Sequence, residues 1–264
     1  MSFAATLLRG ALMGATLAAA SAAALPAAAA APAGDAEAGR KAMSGLWAGF
    51  NDQPRQAGGD SVINNRRFPP DLEAIMKPWV RAGYDKYKRA AETVVDKEPP
   101  TPDNHCMPFA MPGENAAHGF GIQFLFTPKV TGLLIQLDSE WRLIHMDQQH
   151  PADLKPSFLG HSVGHWEGDT LVVDSVGFDE RSQFSDGVLH SPKLHIVERF
   201  RVNAEGILEE TITYEDPDAY TKPYVKTKKF KRLEEPFQEY LNAQNNQLYG
   251  CPTADKGASY QPFR

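Results

Sequence analysis

From residue 122 onward the chain is a series of short apolar runs with period-two alternation, separated by turn-forming residues. The pattern predicts strands at Ile122–Thr127, Val130–Asp138, Trp141–Asp147, Ser162–Glu167, Thr170–Phe178, Leu194–Val202, Leu208–Asp216 and Tyr224–Arg232. Pro128-Lys129, Asp138-Ser139-Glu140, Glu167-Gly168-Asp169 and Asn203-Ala204-Glu205-Gly206 suit tight hairpins. Meander order with mostly short connections predicts a mainly β fold, an antiparallel lipocalin-like barrel or strongly curved sheet, with a β-sandwich as competitor. A parallel α/β sheet is disfavoured because no helical crossover separates the strands. Leu194, Ile196, Glu198, Phe200 and Val202 share one face of their strand, as do Leu208, Glu210, Ile212, Tyr214 and Asp216 of the next. These faces point inward. Glu198 is then a carboxylate among four apolar neighbours and needs a partner or a raised pKa.

The N-terminal part has a different texture. Arg9, an Ala/Leu/Met-rich run from Gly10 to Leu25, Pro26 and a small-residue tract predict a secretory signal peptide over residues 1–31. Gly34 to Asn65 is polar and Gly-rich, with one apolar cluster at Leu46, Trp47 and Phe50, and reads as an arm that packs one short helix. Leu72, Ile75, Met76, Trp79 and Val80 have helical spacing, with Asp71 as N-cap and Pro78 kinking or splitting the element. The expected organisation is a signal peptide (1–31), an N-terminal arm and helical segment (32–105) and a β-barrel domain (106–264).

Composition narrows the function classes. At 264 residues, 42% hydrophobic and 23% charged, the chain has material for a packed core. Its net charge of −6 argues against nucleic acid as a partner. After residue 31 no stretch approaches the roughly 18 apolar residues needed to span a bilayer, so no membrane partner is expected after signal cleavage. Cys106 and Cys251 are an even pair in an exported chain, and a disulfide between them is favoured over two free thiols. The basic run Lys226, Lys228, Lys229, Lys231 and Arg232 reads as the guard of an edge strand.

All eight histidines lie between His105 and His195. His161 and His165 share a strand face, as do His145 and Asp147. An imidazole beside Glu198 or Asp147 suits acid–base catalysis. As metal ligands, His161 and His165 are disfavoured, because on a strand they stand about 13 Å apart. The third reading is that the histidines only satisfy loop carbonyls. Gly160-His161-Ser162-Val163-Gly164 has the spacing of a nucleophile elbow without its strand-to-helix context, and Gly119-Phe120-Gly121 lacks the context of a dinucleotide loop.

The run Gly160 to Asp174 (Gly-His-Ser-Val-Gly-His-Trp-Glu-Gly-Asp-Thr-Leu-Val-Val-Asp) is joined by His190-Ser191, the segment Leu194 to Phe200, Asp216-Pro217 and Tyr220-Thr221-Lys222-Pro223. With Trp141-Arg142, Met146-Asp147 and His150-Pro151, this set resembles a large family of secreted bacterial proteins over about Cys106 to Arg232. The resemblance implies export and a β-rich fold, and no particular activity. It also implies a cysteine near Glu239–Asn245, whereas here Cys251 comes later.

The sequence thus points to a periplasmic barrel that binds an apolar, aromatic small molecule inside the sheet and acts on it as a lyase or isomerase. No cofactor is expected. His161 or His165 is the base, Glu198 or Asp147 its carboxylate partner, and His145 a further member of the cluster. Tyr214, Trp166, Phe124, Phe200 and Trp141 are the expected substrate contacts. A non-catalytic lipocalin-like carrier and a hydrolase using a divalent metal are the competing readings.

Overall fold

The computed structural model describes residues 33–50, 70–93, 121–136, 140–183 and 187–234. Three helices, α1 (Ala33–Met43), α2 (Pro70–Ile75) and α3 (Pro78–Thr93), accompany nine strands. The strands are β1 (Leu46–Phe50), β2 (Gly121–Phe126), β3 (Val130–Ile135), β4 (Glu140–Met146), β5 (His161–Glu167), β6 (Thr170–Val176), β7 (His195–Val202), β8 (Leu208–Glu215) and β9 (Tyr224–Leu233). They close in chain order into one barrel, in which β9 returns to pair with β1. The mainly β, lipocalin-like architecture is therefore the one the alternation predicts, and it is a barrel rather than a sandwich.

Three expectations about the barrel wall change. The apolar cluster at Leu46, Trp47 and Phe50 belongs to a barrel strand, so the wall reaches across the 105/106 boundary. Trp47 is fully buried, its Nε1–H donates to the Met43 carbonyl at 2.8 Å, and the Arg232 guanidinium lies over its ring at 4.3 Å. Secondly, β9 is paired on both sides, so its basic run guards no edge. Thirdly, the barrel is not wholly antiparallel: β4 and β5 run parallel because the connection 147–160 carries the chain back along the wall.

Strand alternation sorts the side chains. Around α1, Trp47, Ile122, Phe124, Ile144, Trp166, Leu171, Phe200 and Phe230 form one apolar half of the core. Around α2 and α3, Leu72, Val80, Tyr84, Tyr87, Phe178, Ile196, Ile212 and Tyr214 form the other. The two helices divide at Pro78 as expected, while Asp71 lies in the first turn of α2 instead of capping it. The β5–β6 hairpin turns on Gly168 at φ +62°, a left-handed conformation that costs glycine least. Residues 1–31, Cys106 and Cys251 lie outside the described residues, and the expected signal peptide and disulfide with them.

Candidate functional site

Strands β4 to β7 carry polar clusters on both faces. The inner one is centred on Arg142, which shares its strand face with Ile144 and Met146 and is buried. Its Nε–H donates to Ser162 Oγ at 2.8 Å, Nη2–H to Ser175 Oγ at 2.9 Å, and Nη1–H to Glu198 Oε1 at 2.9 Å. Nη2 also bonds Glu198 Oε2, so the guanidinium grips the carboxylate with two nitrogens. Burial alone would raise the Glu198 pKa, but the Arg142 charge and hydrogen bonds outweigh it and the carboxyl sits below its ordinary range. Glu210, on the adjacent strand, keeps the proton instead. Desolvation and the Glu198 charge push its pKa up to about 7, against the opposing pull of Lys228, its register partner on β9. Glu210 is then the donor to Glu198.

The outer cluster lies on the other side of the same four strands. His150, from the 147–160 connection, bonds Asp174 Oδ1 through Nε2 at 2.9 Å and meets His161 Nδ1 through its own Nδ1 at 2.8 Å. His195 Nε2 reaches Asp174 Oδ2 at 2.8 Å, and its Nδ1 lies 3.5 Å from Glu215 Oε2. The His145 ring stacks on His161, with centroids 4.9 Å apart and planes within 5°. Burial raises the Asp174 pKa, but the hydrogen bonds from His195 and His150 more than cancel this and keep it an ionised acceptor. Its bond to His195 is the main reason that imidazole holds its proton more tightly than usual. Desolvation, with the nearby His150 and His145, pushes His161 the other way.

Those bonds assign the tautomers. An anionic Asp174 takes the Nε2–H of His150, and the His150 Nδ1 then accepts the His161 Nδ1–H. His161 is left with a lone pair on Nε2. The result is a carboxylate–histidine–histidine relay ending in a base, with a proton-rich histidine on the opposite oxygen of the same carboxylate.

The expected site residues divide across this wall. His161 and His145 come together in the outer cluster. His165 instead bonds Glu167 at 3.2 Å, and Glu167 pairs with Arg199 at 2.5 Å, apart from the relay. Glu198 faces inward onto Arg142, so the expected pairing of Glu198 with His161 or His165 is not made. Asp147 is exposed in the turn after β4, where its backbone N–H donates to the Gly164 carbonyl; Asp174 is the carboxylate that meets histidines instead. Phe124, Phe200 and Trp166 are core, Phe124 lying edge-on to Phe200 at 5.2 Å and Tyr214 stacking on Tyr224 at 6.0 Å. Trp141 alone among the expected contacts is on the outside, at 58% exposure.

Sequence reading missed Asp174, His150, His195, Arg142 and Glu210. Parity placed Glu210 on the inner face, so for this residue the signal was present; the face that Arg142 shares with Ile144 is seen only in the folded strand. His190 and Ser182 are both fully buried, with Nε2 and Oγ 2.7 Å apart, and belong to the packing of the 179–193 connection. Ser162 is enclosed by Arg142 and Ser175, which excludes it as an elbow nucleophile. Among the described residues no group of three or more His, Cys, Asp or Glu is arranged to hold a metal ion. No known protein family matches the chain, and no curated protein sequence does either.

Proposed function

We propose that this protein is an exported lyase or isomerase that acts on an apolar small molecule by acid–base chemistry of its own side chains, on the outer wall of the barrel. The observation that carries this reading is the relay Asp174–His150–His161, with His195 on the second oxygen of Asp174. His161 Nε2 takes a proton from an acidic C–H of the substrate, and the positive charge that forms is steadied by His150 and Asp174. The electron pair left on carbon either expels a group from the neighbouring atom or takes a proton back at another carbon, with His195 as the acid. The first outcome is elimination and the second isomerisation. The signal-peptide pattern expected over residues 1–31 is the ground for proposing a periplasmic or secreted site of action.

The test is conversion of a panel of aromatic alcohols, ethers and enones, followed by mass spectrometry. Turnover by the wild type that falls by roughly 10²–10⁴-fold in His161→Gln and in Asp174→Asn supports the mechanism. Its pH–rate curve should be bell-shaped. The acid limb, set by His161, lies below the ordinary imidazole value of 6.5 and the alkaline limb, set by His195, above it. Uptake of panel members without conversion would make the protein a carrier, and turnover untouched by both substitutions would remove the relay from the mechanism.

A further inference from the structure

The outer face beside the relay is apolar where a solvated wall would be polar. Leu125, Trp141 and Leu143 are 49%, 58% and 44% exposed. Register joins them: Leu125 stands opposite Gly132, Gly132 opposite Leu143, and Leu134 opposite Trp141. The parallel β4–β5 pairing matches His145 with Val163, and two residues back along both strands it sets Leu143 beside His161. A row therefore runs Leu125–Gly132–Leu143–His161 across four strands.

Gly132 leaves a gap in that row. Its φ is outside the left-handed region, so no turn or backbone conformation demands glycine there. A Cβ built at this position meets, among the described residues, only Leu125, at 3.7 Å from its Cβ. The flanking leucines stand two strand spacings apart, about 10 Å, which admits one flat ring lying on the glycine backbone. Trp141, exposed two residues before Leu143 on the same strand face, borders the same trough and supplies an aromatic side chain there.

We infer that the trough over Gly132, walled by Leu125, Leu143 and Trp141, is the substrate-binding site, and that it takes an aromatic ring whose reactive substituent points along the row to His161. This rests on the acid–base reading of the relay, and it places the aromatic ligand outside the barrel instead of within it. The trough is continuous with the base, and contiguous exposed apolar surface of this kind marks a binding site. A single ring fits the width of the gap better than a second protein surface does.

The test uses 2-naphthol as probe, followed by calorimetry and by quenching of tryptophan fluorescence. Gly132→Val fills the trough with a β-branched side chain that a strand accepts, so it should leave the melting temperature unchanged. Binding should weaken about tenfold or more in Gly132→Val and in Trp141→Ala. In turnover, Gly132→Val raises KM while His161→Gln lowers kcat, so a wrong trough and a wrong relay fail separately. Full affinity in a folded Gly132→Val protein puts the ligand elsewhere and overturns the inference. So does light scattering that finds a dimer dispersed by Trp141→Asp, because the patch is then an interface between two copies of the chain.

Discussion

Glu198 and Glu210 have the same chemistry and opposite charge states, and the difference is one neighbour. Arg142 grips Glu198 with two nitrogens and holds it ionised, while Glu210, buried and facing that charge, keeps its proton up to about 7. An acid whose folded pKa is raised contributes stability that is fully present below its unfolded value of about 4.5 and is lost as pH rises through about 7. Glu210→Gln copies the protonated form and removes that loss. The variant should match the wild type at pH 4 and gain on it between pH 5 and 8, by on the order of 2–3 kcal/mol at the top of that range. Denaturant curves that stay parallel across these pH values would mean that Glu210 holds no extra proton. This acid was half legible beforehand. Parity put Glu210 on the apolar face, but Arg142, which decides which of the two acids ionises, comes from a strand far away in the chain.

Helix α1 illustrates a fit that sequence pattern does not reveal. It lies against β5, β6 and β7, and at Gly39 there is no room for a side chain. A Cβ there would stand 2.4 Å from Trp166 Cζ3 and 2.8 Å from the Asp169 carbonyl oxygen. Arg40, next along the helix, lies over the same indole at 5.4 Å. Gly39→Val should therefore lift α1 off the barrel end at a cost of about 1–3 kcal/mol, enough to lower the melting temperature by several degrees. A variant with unchanged melting would show that the contact is loose. Eight of the nine strands were legible because alternation is a property of the backbone itself. The missed strand β1 has five residues and was hidden in a Gly-rich stretch. The direction of β4 against β5 was hidden too, since alternation reads the same in either direction.

Taken together, Arg142 is a brace across four consecutive strands. It lies on β4 and bonds Ser162 of β5, Ser175 of β6 and Glu198 of β7. The outer faces of those strands carry His145, His161, Asp174 and His195. The relay thus hangs on a stretch of wall tied from behind, which suits a site that needs fixed geometry. Removing the brace leaves a buried carboxylate without its counter-charge. Arg142→Met should cost about 3–5 kcal/mol. Adding Glu198→Gln should restore at least half of that, because the amide carbonyl still accepts from Glu210 while the stranded charge is gone. A double variant no more stable than the single one would mean that Arg142 acts through packing and not through its charge.

Local pattern settled which residues share a strand face, and with it the inward placement of Glu198, Glu210 and Tyr214 and the mainly β character of the chain. The reason is geometric: side chains alternate along any extended backbone, whatever it packs against. Pattern did not settle which acid meets which histidine. The inner face of β5 carries Ser162, Gly164 and Trp166, so hydrophobicity does not tell its inside from its outside. Barrel closure and the parallel β4–β5 register made that choice, turning His161 outward to His150 and Leu143 while Glu198 turned inward to Arg142. Contacts between distant strands depend on register, and register is a property of the assembled sheet.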